Sequence, residues 1–146
     1  MLVYTTTLSY HLAMLQFAVF EDEQRERDSA RSNLEILGHT VVAEAESAVE
    51  AGLVLRDHMN GDICIDAILQ DGNTRTLDYG GFAKEVLRFL NIHQLEIPVI
   101  GYSTQHMTEF GINPDQLFAD PTKDLFTDSA LYEPLMAQLI ERTQQS

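Results

Sequence analysis

Short apolar runs alternate with amphipathic stretches along this chain. Leu15–Phe20 is nearly all apolar and reads as a buried strand. Asp28–Leu37 carries Leu34 and Leu37 on one face and ends at Gly38, the pattern of a helix with a glycine stop. Thr40–Ala45 is a short β-branched strand. Ser47, with Glu50 three residues on, forms a capping box that opens a helix to about Met59, closed by Asn60-Gly61. The next strand lies within Ile63–Gln70. A loop rich in Gly, Asn, Asp and Thr runs from Gly72 to Gly81. Phe82, Val86 and Phe89 recur at about one helical turn in Phe82–Leu90. Ile97–Tyr102 predicts a strand, Thr104–Phe110 a short helix, Gln116–Ala119 a strand, and Leu131–Arg142 a last helix with Pro134 in its first turn. Five β-α units in a row predict an α/β fold: a five-stranded parallel sheet with helices on both faces.

Length and charge narrow the picture. At 146 residues the chain fits one domain. Residues 1–13, rich in Thr and Tyr, are expected to be an N-terminal extension of a domain spanning 14–146; Met14 would be the natural start, and an added strand is the competing reading. The net charge is −14, from 23 acidic and 9 basic residues. That argues against nucleic acid and against anionic membranes as partners. No apolar run reaches the ~20 residues of a membrane span. Cys64 cannot form an internal disulfide; it is expected to be a small core residue, and a cytoplasmic location follows as the expectation.

Candidate chemistry lies where the strands end. Glu21 and Asp22 follow the first apolar run, Asp71 follows Ala67–Gln70, and Ser103 follows Pro98–Tyr102. In a parallel sheet these ends share one edge, where open α/β folds build their sites. Clustered carboxylates there suit a hard divalent cation such as Mg²⁺, which relieves their mutual repulsion. A carboxylate can also act as a nucleophile and form an acyl phosphate.

These motifs together resemble the receiver domain of bacterial response regulators, the CheY-like branch of flavodoxin-like (βα)5 folds. The resemblance rests on Phe20–Glu23 (FEDE), Gly38–Ser47 (GHTVVAEAES), Asp66–Asn73 (DAILQDGN) and Pro98–Ser103 (PVIGYS), with Phe118–Pro121 (FADP) at the fifth strand. It implies a phosphoryl-accepting signalling module rather than an enzyme with turnover. Asp71 would be the phosphoacceptor, with Asp66 as the alternative. Glu21 and Asp22 would hold Mg²⁺ together with Asp71 and the main-chain carbonyl of Asn73. Ser103 would hydrogen-bond a phosphoryl oxygen. A histidine kinase or phosphotransfer protein would donate the group, and output would pass to a downstream protein through the face of the last two strands and helices.

The chain also departs from that pattern. Asp120 stands before Pro121 where the family carries lysine, and a negative charge there would weaken a phosphoaspartate. Lys123, three residues on, could reach into the site, but a solvated surface lysine is the expectation. Leu117 occupies the aromatic switch position, with Phe118 beside it as core. The loop Thr74–Gly81, with Arg75, Asp78 and Tyr79, is longer than usual. The histidines show no metal-ligand spacing. Two alternatives therefore accompany the main reading: a pseudo-receiver that binds without efficient phosphorylation, and a small Mg²⁺-dependent phosphatase with an Asp nucleophile. The phosphatase reading lacks a second acid two residues on, where Asn73 stands.

Overall fold

A computed structural model of the chain describes residues 14–72 and 80–145. The expected extension, Asn73, and the loop residues Arg75, Asp78 and Tyr79 lie outside the described residues. Four strands, β1 (Gln16–Phe20), β2 (Thr40–Ala45), β3 (Ala67–Gln70) and β4 (Val99–Gly101), form one parallel sheet in the order β2-β1-β3-β4. The helices are α1 (Gln24–Ile36), α2 (Ala48–Met59), α3 (Gly81–Ile92) and α4 (Ser129–Gln145).

The period-two alternation of the strands splits the core into two layers. Phe17, Val19, Leu69 and Ile100 face Ala30 and Leu34 of α1 and Leu135, Met136 and Leu139 of α4. Ala18, Phe20, Ile68 and Val99 face Ala51 and Leu55 of α2 and Ala83, Val86 and Leu87 of α3. Ser47 caps α2 by accepting from the Glu50 N–H, while the Glu50 carboxylate reaches back to the Glu46 N–H at 2.8 Å.

The expected fifth strand is not there: among the described residues the sheet has four strands, and Pro114–Gln116 is a 3₁₀ turn. The segment that follows still runs parallel to β4, but it touches it only at two isolated bridges, Ile100 with Ala119 and Ser103 with Thr122. Phe118 N–H donates to Val99 O at 2.8 Å, Gly101 N–H to Ala119 O at 3.0 Å, and Lys123 N–H to Ser103 O at 2.9 Å. Two residues interrupt a continuous ladder. Pro121 has no N–H to contribute. Asp120 gives its carbonyl oxygen to His106 Nδ1 at 2.6 Å, while its carboxylate accepts from the Met107 N–H at 2.6 Å and the Thr108 N–H at 3.2 Å.

Other expectations shift as well. The short helix at Thr104–Phe110 is a 3₁₀ turn at Met107–Phe110. In α1, four further residues precede Asp28; the first turn is polar, so its apolar signal starts only at Ala30. In α4 the Asp128 carboxylate accepts from the Ala130 N–H and starts the helix two residues early, which puts Pro134 in the second turn. Cys64 is exposed, not core. The alternation around it buries Ile65 and leaves Cys64 outside. Among the described residues no helix is long and apolar enough to cross a membrane.

Candidate phosphoryl-acceptor site

The parallel register brings the ends of β1, β3 and β4 level: Phe20 pairs with Gln70, and Gln70 with Gly101. The residues that follow each strand therefore meet at one edge. The Asp71 N–H donates to Phe20 O at 2.9 Å, the Tyr102 N–H to Gln70 O at 2.9 Å, and the Glu21 N–H to Ala45 O at 3.0 Å. Carboxylate oxygens of Glu21, Asp22 and Asp71 all lie within 4.8 Å of one another, a group able to hold a metal ion.

Burial sharpens this cluster. Glu21 is 2% and Asp71 3% exposed. Glu21 Oε2 is buried with no hydrogen-bond partner. Burial and the neighbouring Asp71 carboxylate push the Glu21 carboxyl up to about 9 against an opposing pull from Lys123. A buried acid held this far from its ordinary range lacks positive charge, which a divalent cation supplies. Ser103 is fully buried at the end of β4, and its Oγ has no hydrogen-bond partner.

Asp66 sits elsewhere. Its Oδ2 accepts from the Gln16 N–H at 2.7 Å, where β1 begins. A whole strand separates it from Asp71, about 16 Å at the usual rise per residue. It fastens the opposite end of the sheet and takes no part in the cluster.

For Lys123 the less favoured of the two sequence readings holds. Rather than being solvated, it is partly buried, with Nζ 3.7 Å from Glu21 Oε2 and 3.1 Å from Glu26 Oε2. It also stands over the Tyr102 ring, 5.9 Å from the centroid. Burial alone would lower its pKa; the Glu21 and Glu26 carboxylates outweigh that and hold it above its ordinary value. The 3₁₀ turn Lys123–Thr127, capped by Thr122, returns the side chain to the acid cluster. The Thr122-x-Asp124 cap was the available signal for that turn. The Asp120 carboxylate accepts from the Met107 and Thr108 N–H groups and so closes the Met107 turn. His106 shares this region, its Nδ1 2.6 Å from Asp120 O.

Arg27 steadies the acidic loop from α1. Its Nη1 donates to Glu21 O at 2.8 Å, and its guanidinium pairs with Glu44 at 3.6 Å and Glu46 at 3.9 Å.

Solved structures match this fold. A CheY-like response regulator receiver domain from Methanospirillum hungatei superposes with a TM-score of 0.66 at 16% identity, over 91% of this chain and 99% of that one. The chain has the receiver-domain fold. The receiver domain of a histidine kinase from Arabidopsis thaliana gives 0.63 at 16% identity, over 88% of this chain and 94% of that one. Two chains of the anti-anti-sigma factor PhyR from Bartonella quintana also match. One has a TM-score of 0.51 at 26% identity over 62% of this chain, the other 0.64 at 21% identity over 99% of it. This chain spans 34% and 56% of the length of those two. No family model matches the chain, and no curated protein does. Against the expectation from sequence, the fifth strand is reduced to two bridges and the short helix after β4 to a 3₁₀ turn.

Proposed function

We propose that this chain is a phosphoryl-accepting receiver in a two-component or phosphorelay pathway, with Asp71 as the acceptor. The observation that carries the reading is the trio Glu21, Asp22 and Asp71, with Glu21 and Asp71 buried, at the C-terminal edge of a parallel sheet. Glu21, Asp22 and Asp71 would hold Mg²⁺; the Asn73 carbonyl, outside the described residues, would join them. The trio suits that ion, because its donors are hard carboxylate oxygens and Glu21 Oε2 has no hydrogen-bond partner. When bound, Mg²⁺ neutralises phosphoryl oxygens during in-line transfer.

The protein's own groups do the rest. Asp71 is positioned by its N–H bond to Phe20 O and presents the attacking carboxylate. Ser103 Oγ is available to donate to a phosphoryl oxygen. A histidine kinase or phosphotransfer protein is the expected donor, and a downstream protein the expected reader. The commitment of Asp120 to the Met107 turn supports this reading over the pseudo-receiver, because its carboxylate is held at the Met107 and Thr108 N–H groups.

Incubation with acetyl phosphate and Mg²⁺, followed by intact-mass analysis, tests the proposal. One phosphoryl adduct is expected on wild type and on Asp66→Asn, none on Asp71→Asn, and none with chelator present. An adduct that survives in Asp71→Asn would falsify the assignment. No adduct from acetyl phosphate or from candidate kinases would favour the binding module.

A further inference from the structure

Exposed apolar side chains are unevenly placed on this molecule. Among the described residues seven large hydrophobic side chains are exposed, and four of them, Val49, Leu53, Met59 and Ile92, belong to α2 and α3. The other three lie apart: Met14 before β1, Ile36 at the end of α1, and Leu131 near the start of α4. At 3.6 residues per turn, Val49, Gly52, Leu53 and Met59 fall within one stripe of α2 about 120° wide. Beside that stripe runs a groove of about 400 Å³, where Val49 and Gly52 oppose Phe89 and Ile92, with Glu85 and Arg88 on its α3 side. Single exposed apolar residues are ordinary, whereas a contiguous set marks an interaction surface. Gly52 belongs to the same pattern. Glycine is costly inside a helix, and a Cβ at Gly52 would meet only a Phe89 ring atom, at 3.9 Å. Packing within the chain therefore does not require it, but it leaves the α2 backbone open to close approach in the middle of an apolar stripe.

We propose that the α2–α3 face docks a second copy of this chain, forming a two-fold dimer with Gly52 at the closest approach of the facing helices. Charge favours a like partner here. The chain carries −14, yet α2 and α3 together balance Glu50, Asp57 and Glu85 against Arg56, Lys84 and Arg88. A second copy brought to this face meets no net repulsion from these helices. Glu85 and Arg88, 3.8 Å apart, offer both signs to a two-fold mate, as a self-complementary surface must. The charges of α1 balance as well, but Ile36 is its one exposed large apolar side chain. Size sets the strength. Two helices of 12 residues each present a footprint of about 360 Å², under half of the ~800 Å² each partner gives to a standard interface. The dimer is therefore weak and reversible, in the micromolar-to-millimolar range. Burial of Val49, Leu53, Phe89 and Ile92 drives it, and the net charge of each whole copy opposes it, so added salt should strengthen it.

Sedimentation equilibrium of the full chain, from about 10 µM to about 1 mM and at low and high NaCl, tests the proposal beside Leu53→Glu, Leu131→Glu and Gly52→Ala. Wild type should show a reversible monomer–dimer equilibrium that tightens with salt. Leu53→Glu should weaken it by about tenfold or more, the scale of losing one central interface side chain. Leu131→Glu adds the same charge on α4 and should associate as wild type does. Gly52→Ala should resist urea better than wild type at high dilution and yet dimerise several-fold more weakly; a glycine serving only its own helix would not give those opposite signs. Should Leu53→Glu fail to fold, Ile92→Glu makes the same test from α3. A chain that stays monomeric throughout overturns the proposal and leaves the face to a different protein. A dimer that survives Leu53→Glu, or that Leu131→Glu breaks instead, places the interface elsewhere and overturns it too. So does a dimer that weakens with salt, or one that Gly52→Ala leaves as tight as wild type.

Discussion

His39 shows how one buried side chain sets a pH limit on the fold. Its ring lies against Phe17, with centroids 5.4 Å apart, and Nδ1 accepts from the Leu15 N–H at 3.2 Å. Accepting there puts the ring proton on Nε2, which is buried without a partner. Burial lowers the His39 pKa. The unfolded chain therefore takes up a proton near pH 6.5 that the folded chain refuses. Stability from this residue is complete above that pH and is lost as pH falls toward the depressed folded value, by up to about 1.4 kcal/mol per pH unit. Urea unfolding at a series of pH values between 7.5 and 5 should show a shallower loss for His39→Asn than for wild type, and equal slopes would contradict the assignment. At this scale the sequence was legible where chemistry follows strand ends, as with Glu21, Asp22, Asp71 and Ser103. It was illegible for Lys123 and Asp120, whose roles depend on which way one turn swings a side chain.

Helices and strands with a two-sided or period-two pattern were the readable elements. β1 and β2 begin within a residue of expectation, and α2 follows its capping box. The crossover after β4 was not readable, because Leu117-Phe118-Ala119 is an apolar run too short to distinguish a strand from an extended strip. The cause of its packing lies in β4. A Cβ at Gly101 would stand 2.5 Å from Met107 Cγ and 2.6 Å from Asp120 Oδ1. Gly101 thus leaves room for both the Met107 turn and the carboxylate that caps it. Gly101→Ala is expected to destabilise by about 1–3 kcal/mol through overpacking. Gly52, inside α2, has only a Phe89 ring atom at 3.9 Å from its Cβ position. Gly52→Ala should stabilise by up to about 1 kcal/mol through helix propensity. Chemical denaturation of the two variants beside wild type checks both signs, and a neutral Gly101→Ala would show that the turn yields freely.

Across the whole molecule, parallel α/β layering was legible and the strand count was not. The two core layers meet across β1 and β3, which are hydrogen-bonded on both sides. The chain after β4 is attached to the sheet differently. A ladder resists opening because neighbouring bonds must break together, whereas two separate bridges can release one at a time. Amide hydrogen exchange should register this as a gradient. Protection is expected to be greatest in β1 and β3 and clearly lower at Gly101 and Lys123, whose N–H groups hold the strip at its two attachments. Equal protection across all of these amides would mean that the strip opens only when the whole domain does. The sheet thus ends in a seam with its own, shorter clock, and the residue that closes one end of that seam is the lysine facing the acids.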